Sequence, residues 1–178
     1  MDIIIRKLQL HESAIYRELA LACLKNAPEF FGTTYEEAAS TPKLSFETYI
    51  ETNSQDHMMF GAFDGERLIG LTGLNRMAGT RTSHRGEVVQ VYVEPVYRGQ
   101  NIGENLLRHA LDYAFGLEGI EQVQLRVVSR NTTAIKLYEK LGFKTFGVQP
   151  KYFKVDNGYL DQQFMQLFKS EYQRELPN

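Results

Sequence analysis

Apolar residues along this chain follow two different spacings, which together predict a mixed α/β fold. Over about 12–26 and 102–115 they recur every three to four positions, the pattern of amphipathic helices. Runs of apolar residues at 2–8, 87–93 and 123–128 predict strands. The other predicted elements are short helices over 44–53 and 132–141, a hairpin of 58–63 and 68–74, and a final hairpin of 143–155 and 159–168.

The order of these elements predicts how they assemble. A strand, a long helix and a second strand follow one another in the middle of the chain, which favours a βαβ unit within a twisted mixed sheet with helices on both faces. The stretch 28–43, with two prolines and a glycine, is expected to be irregular, and Asp156-Asn157-Gly158 is expected to turn the last hairpin. One face of the second long helix is expected to be buried. That face consists of Ile102, Leu106, Leu107, Ala110, Leu111, Ala114 and Phe115.

Composition narrows the class of protein. With 178 residues, 43% apolar and 24% charged, the chain is expected to form one globular domain over 1–178. A net charge of −2 gives no reason to expect nucleic-acid binding, and without a run of about 18 apolar residues no membrane span is expected. The apolar start of the chain is too short for a signal peptide. The single cysteine, Cys23, cannot form a disulfide within the chain, so we expect a cytoplasmic protein with Cys23 as a buried thiol.

Candidate chemistry is concentrated in the loop that follows the strand at 87–93. The loop reads Arg98-Gly99-Gln100-Asn101-Ile102-Gly103 and leads directly into the second long helix. Glycines let backbone N–H groups approach a ligand, and the helix N-terminus adds unpaired donors and a partial positive charge. Arg98 can reach the same anion from the side. The loop therefore predicts a pyrophosphate cradle, although it matches neither a Walker loop nor a three-glycine dinucleotide fingerprint.

A second segment makes this prediction more specific. Its motif consists of Asn131, Ala134, Leu137-Tyr138 and Leu141-Gly142-Phe143. With both motifs in order, the chain from about 57 to 168 resembles the GNAT superfamily of acetyl-CoA-dependent N-acetyltransferases. The loop fits the family pattern Arg/Gln-x-x-Gly-x-Gly/Ala except at Asn101. If that position is left-handed, asparagine tolerates it better than other non-glycine residues.

The resemblance implies a sheet of about seven strands and acetyl-CoA as cosubstrate, and no His/Cys/Asp cluster in the sequence has metal-ligand spacing. Residues 98–103 would bind the pyrophosphate, and the backbone amides of Val91 and Val93 would bind the pantetheine arm as an added strand would. Asn131 and Tyr138 would face the cofactor from one side of their helix. The alternative interpretations are a plain core strand for Val91 and Val93, a helix N-cap for Asn131 and a core aromatic for Tyr138.

Two residues are candidates for proton transfer. In many members of the family, a tyrosine at the position of Tyr138 gives its proton to the departing CoA thiolate, so the resemblance makes Tyr138 the candidate general acid. Glu87 is the candidate general base that takes the proton of the amine, and strand alternation would place it in phase with Val89, Val91 and Val93. His84 or an ordered water is the alternative base. Asp161 is a candidate contact for a cationic acceptor.

The resulting hypothesis is an enzyme that moves an acetyl group from acetyl-CoA directly to an amine. The acceptor is either a small-molecule amine or the amine of a peptide or protein, and a homodimer is left open. The alternative from another functional class is a non-catalytic acetyl-CoA-binding module that acts as a sensor or partner domain. The intact Tyr138 and Glu87 favour the enzyme.

Overall fold

The chain folds around a seven-stranded sheet, and the computed structural model describes residues 2–156 and 158–172 of it. The strands are β1 (Ile3–Lys7), β2 (His57–Asp64), β3 (Arg67–Arg76), β4 (Arg85–Val93), β5 (Gln122–Val128), β6 (Lys144–Val155) and β7 (Gly158–Phe168). The helices are α1 (Ser13–Asn26), α2 (Tyr35–Ser40), α3 (Ser45–Glu51), α4 (Ile102–Gly116) and α5 (Thr132–Lys140). Apart from α2, each was predicted to within a few residues, and the predicted turn residue Asn157 lies outside the described residues.

The sheet is mixed, with the strand order β1-β2-β3-β4-β5-β7-β6. β4 and β5 are parallel, which requires a crossover connection, and α4 supplies it. β1–β2, β2–β3, β5–β7 and β6–β7 are antiparallel. The mixed α/β class and its central βαβ unit are thereby confirmed.

The chain forms two compact units. The first contains the residues up to Asn75 together with Val89–Ala110. In this unit α1 presents one buried face, because its apolar residues recur at helical spacing. That face consists of Tyr16, Leu19, Ala20 and Cys23, and it packs in one core cluster with side chains of α3, β2 and β3. The burial of Cys23 confirms the prediction of a buried thiol.

The second unit contains Arg76–Val88 together with the residues from Leu111 onward. Its core includes β5 and β7, whose buried side chains are in register, with Leu125 opposite Met165. All seven residues predicted for the apolar face of α4 are buried. Within the described part of the chain, no helix is both long and apolar enough to cross a bilayer.

The stretch 28–43 is more regular than expected, because it contains a 3₁₀ turn at Pro28–Phe30 and the helix α2. Thr34 caps α2: its Oγ1 accepts a hydrogen bond from the Glu37 backbone N–H at 3.2 Å. The Glu37 carboxylate accepts one in return from the Thr34 N–H at 2.9 Å. This reciprocal pair is a capping box, and its Thr-x-x-Glu signature is readable in the sequence.

Candidate functional site

The predicted cradle has the backbone conformation that anion binding requires. A 3₁₀ turn at Pro95–Tyr97 follows β4, and Gly99 and Asn101 then have φ of 78° and 60°. Asn101 thus adopts the left-handed conformation that asparagine tolerates. The Asn105 N–H donates to the Asn101 carbonyl at 3.0 Å, so α4 begins directly at the end of this loop. Residues 98–101 are exposed, so this loop is open to a ligand from solvent.

Arg98 is held against the end of β4. Its Nε donates a hydrogen bond to the Val93 carbonyl at 3.1 Å, and its guanidinium carbon lies 5.8 Å from the ring centroid of Tyr92. This anchoring leaves the guanidinium exposed beside the cradle, where its charge favours an anion. On the first turn of α4 the Glu104 carboxylate accepts hydrogen bonds from Arg108 at 3.0 and 3.2 Å, which offsets its negative charge.

The segment of β4 that precedes the cradle is irregular. Gln90 has φ of 53°, although it lies inside the strand and is not glycine. A left-handed residue interrupts the alternation of side chains, as a β-bulge does. The expectation that Glu87 lies in phase with Val89, Val91 and Val93 assumed an uninterrupted strand. It is wrong for Val91 and Val93, because both follow the interruption at Gln90. The parallel ladder with β5 covers Arg85–Val88, so the backbone of Val91 and Val93 is not part of that ladder.

Asn131 and Tyr138 lie at the two ends of α5. Asn131 is its N-cap, because its Oδ1 accepts a hydrogen bond from the Ala134 N–H at 3.2 Å. Tyr138 is buried and packs edge to face against Phe143, with ring centroids 6.0 Å apart. Burial raises the pKa of the Tyr138 phenol, so this side chain stays protonated well above neutral pH. Asn131 is therefore a helix N-cap and Tyr138 a core aromatic, as the alternative interpretations predicted. Neither role excludes a contact with the cofactor.

Glu87 is engaged in an ion pair that the sequence did not reveal. The Arg126 Nε donates to Glu87 Oε1 at 2.9 Å, and the Glu87 side chain is 12% exposed. The two residues meet because β4 and β5 pair in register here, with Val88 opposite Leu125. His84 is half-buried just before β4, and its carbonyl accepts a hydrogen bond from the Glu121 N–H at 2.8 Å.

Asp161 is a structural acceptor in the final hairpin. Its Oδ1 accepts a hydrogen bond at 2.8 Å from the backbone N–H of Lys151, which has φ of 54°. This contact stabilises an irregular position in β6 and leaves less of the carboxylate for a cationic ligand. Within residues 2–156 and 158–172, no three His, Cys, Asp or Glu side chains are grouped to hold a metal ion.

A cavity of about 260 Å³ lies in the first unit, and sequence reasoning missed it. The three helices α1, α2 and α3 surround it together with single residues of β3 and β4. Its lining residues are Tyr16, Ala20, Cys23, Leu24, Phe31, Gly32, Thr33, Ala38, Leu44, Ser45, Phe46, Leu71 and Gln90. Because Gln90 lines it, the cavity reaches the irregular point of β4.

Comparisons with known proteins find similarity over the part of the chain that contains both the loop at 98–103 and the motif from Asn131 to Phe143. The sequence profile of the Acetyltransferase (GNAT) family matches residues 20–143, which is more than half of the chain. The N-alpha-acetyltransferase RimI of Mycobacterium tuberculosis is 36% identical over 105 residues, which are 59% of this chain and 63% of RimI. The chain thus covers less than two thirds of the length of that relative.

Two further proteins resemble the chain over most of its length. The spermidine N(1)-acetyltransferase of Vibrio cholerae is 29% identical over 143 residues, which are 80% of each chain. The solved structure of yncA from Salmonella typhimurium, a putative acetyltransferase with its cofactor acetyl-CoA, superposes with a TM-score of 0.79 at 18% identity and covers 100% of this chain and 99% of its own. This last likeness shows a shared fold.

Proposed function

The chain belongs to the GNAT acetyltransferase family, and we propose that it transfers the acetyl group of acetyl-CoA to a primary amine. One observation carries the proposal: the exposed loop with left-handed Gly99 and Asn101 that leads into the N-terminus of α4. Backbone donors at a helix N-terminus, preceded by left-handed positions, form a concave site for an anion. A pyrophosphate is the anion that acetyl-CoA presents.

The residues present fit this cosubstrate. The loop is exposed, its side chains at 99 and 103 are hydrogen atoms, and Arg98 adds a fixed positive charge beside it. The Val91 and Val93 amides are proposed to bind the pantetheine arm, because that part of β4 is outside the ladder with β5. Gln100 and Ile102 contribute backbone donors to the cradle. Asn131 is proposed as a further cofactor contact on the strength of its motif.

Tyr138 is proposed to hold the proton that the sulfur of CoA needs when the thioester breaks. Acetyl-CoA supplies an acetyl group already activated as a thioester. The Tyr138 Oη carries a proton at neutral pH, because the ordinary pKa of a tyrosine phenol is about 10 and burial raises the pKa further. Glu87 is proposed to accept the proton of the amine, with His84 or water as the alternative. The ion pair with Arg126 engages Glu87 Oε1, so the second oxygen is the site for that proton.

The acceptor is proposed to enter through the cavity of the first unit. Gln90, which lines the cavity, precedes Val91 in the chain, so an amine held there lies near the part of β4 assigned to the cofactor. The names of the relatives, an N-alpha-acetyltransferase and a spermidine acetyltransferase, support an amine acceptor of either a protein or a small molecule.

Calorimetry with acetyl-CoA tests the cradle. The wild-type chain is expected to bind in the micromolar to sub-millimolar range, about −5 to −8 kcal/mol. Gly103→Glu places bulk and negative charge where the pyrophosphate is proposed to lie, and it should abolish binding. Gly116→Glu is the matched control at the other end of α4, where a new Cβ meets nothing within 4 Å. Equal binding by wild type and Gly103→Glu would remove the cradle assignment.

The transfer itself is tested by measuring CoA release with a panel of amines, amino acids and peptides. A rate that depends on an amine and is lost in Gly103→Glu supports the enzyme. Acetyl-CoA binding without release of CoA to any amine would instead indicate a binding module.

A further inference from the structure

The cavity of the first unit is lined by uncharged side chains. Most are apolar, and the described lining residues include no Asp, Glu, Lys, Arg or His. Its polar groups are the hydroxyls of Thr33 and Ser45, both of which are exposed, and the pair formed by Tyr16 and Gln90. The rim is therefore polar, and the interior is apolar apart from the Tyr16–Gln90 pair.

The carboxylate that acts on Tyr16 in the cavity wall is already paired, and the charge of Arg98, which acts on another lining residue, is positive. Glu47 is buried in α3, and its Oε2 accepts hydrogen bonds at 2.7 Å from Arg17 Nη1 and from the Leu44 N–H. A carboxylate engaged by a guanidinium and a backbone donor has little attraction left for a second cation. A cationic group in the cavity would thus lose its hydration without gaining a counter-charge.

The polar pair inside the cavity is fixed in one orientation. The Tyr16 hydroxyl, fully buried, donates to Gln90 Oε1 at 3.0 Å. Burial raises the pKa of Tyr16 to about 12, so the phenol remains a neutral donor. Because this bond engages the amide oxygen, the amide nitrogen of Gln90 is left as a donor, and no described side chain or carbonyl accepts from it.

We propose that the cavity binds an uncharged, apolar arm of the acceptor, so that the preferred substrates are primary amines on aliphatic or aryl groups rather than polyamines. The inference rests on the proposed function and deepens it. The apolar wall contacts the arm, and the Gln90 amide nitrogen donates to a carbonyl or other acceptor atom of the substrate where one is present. Gln90 is thus a specificity-determining residue, and Tyr16 is the residue that positions it.

The size of the cavity is suited to such an arm. At about 30 Å³ per water, a volume of 260 Å³ corresponds to roughly nine waters, which is more than a six-carbon chain displaces. A second ammonium at the far end of the same chain must lose its proton to enter. With an ordinary pKa near 10.4, this lowers the competent fraction by roughly 10³ at neutral pH.

A tryptophan reporter tests this selectivity without acetyl-CoA. The chain contains no tryptophan, so Phe31→Trp introduces a single fluorophore into the cavity wall by a conservative change. The reporter is titrated with hexylamine and with hexamethylenediamine, which differ at the far end of one carbon chain. We expect hexylamine to bind at least tenfold more tightly. Phe168→Trp, on the exposed end of β7, is the control reporter and should respond to neither amine.

A charge variant tests the role of Gln90 in the same assay. Gln90→Glu keeps the shape of the side chain and adds a negative charge, so the reporter should then bind the diamine more tightly than the monoamine. If Phe31→Trp fails to fold, calorimetric titration of the wild-type chain with the two amines gives the same comparison.

The outcomes separate this inference from the proposed function. Equal affinities, or tighter binding of the diamine by the wild-type reporter, overturn the inference even if acetyl transfer is observed. Selective binding of hexylamine with no transfer to any amine supports the selectivity of the cavity and counts against the proposed function alone.

Discussion

Replacing Tyr138 with phenylalanine separates a catalytic from a structural role. The change keeps the ring, and therefore the edge-to-face contact with Phe143 at 6.0 Å, and removes the hydroxyl. The side chain is 5% exposed, and no described residue hydrogen-bonds its hydroxyl group. A purely structural tyrosine in such surroundings would be served at least as well by phenylalanine.

The expected effects on activity and on stability differ in size. Loss of a general acid lowers the chemical rate by about 10²-fold or more. The ring keeps its packing and the hydroxyl has no hydrogen bond to lose, so the free energy of unfolding should change by no more than about 0.5 kcal/mol, roughly 1–2 °C in Tm for a chain of this size. A residue whose removal impairs function and leaves the fold intact is retained for function.

The pH dependence adds a second criterion. Burial raises the pKa of Tyr138 above its ordinary value of about 10, so the acid form persists across the range from pH 6 to about 9.5. The wild-type rate should therefore rise with pH as the amine loses its proton, without a decline on the basic side from Tyr138. Tyr138→Phe should give a parallel curve at a lower level.

The assay is single-turnover CoA release with one good acceptor, combined with thermal unfolding. Tyr113→Phe, a half-buried tyrosine of α4 with no proposed role, is the matched control and should keep the wild-type rate. A wild-type rate in Tyr138→Phe, with chemistry shown to limit turnover, would refute the general-acid role and leave Tyr138 as packing.

Two further substitutions test the base and the first unit. Glu87→Gln should lower the rate most at neutral pH and less as pH rises, because each pH unit below the pKa of the amine reduces the concentration of neutral amine about tenfold. Parallel pH–rate profiles of the two proteins would favour His84 or water as the base. Glu12→Gln should lower the free energy of unfolding in urea by about 1–2 kcal/mol near pH 7, since buried Glu12 accepts from partly exposed Arg6 at 2.7 and 2.8 Å. Arg6 lowers the pKa of Glu12, so this contribution to stability is present above the unfolded pKa of about 4.3 and is lost as pH falls through the lower pKa of the folded state. The free energies of unfolding of the wild type and Glu12→Gln should therefore converge in acid. A constant difference down to pH 2 would contradict this assignment.

Local patterns in the sequence were enough for much of the fold and for the backbone conformation of the loop before α4. The apolar face of α4 repeats at helical spacing over four turns, so all seven predicted residues proved buried. The left-handed conformation of Asn101 was foreseeable, because few residues other than glycine adopt it. The helix α2 was also readable from its capping box, and the density of Pro and Gly around it obscured that signal.

The rest of the candidate site depends on contacts between residues far apart in the chain. Arg126 meets Glu87 because β4 and β5 pair in one particular register, which no local pattern specifies. The cavity wall draws on α1, α2, α3, β3 and β4, so it exists only after these elements have packed. The bond between Tyr16 and Gln90 spans 74 positions of sequence. Periodicity along the chain carries no information about such a pairing.

Two positions with a strained backbone conformation lie on either side of the segment that is proposed to bind the cofactor. Four described non-glycine residues have left-handed φ, and two of them, Gln90 and Asn101, flank the segment assigned to the cofactor. Each such position costs on the order of 1 kcal/mol and persists only when its surroundings fix it. Tyr16 fixes Gln90 through a hydrogen bond at 3.0 Å, and the first turn of α4 fixes Asn101 through its carbonyl. A strand that ran straight from Glu87 to Val93 would avoid the first cost, but Gln90 would then follow the regular alternation of the strand and no longer hold its present position against Tyr16 in the cavity. The strained conformation of Gln90 thus accompanies its position in the cavity wall, where the acceptor is proposed to bind.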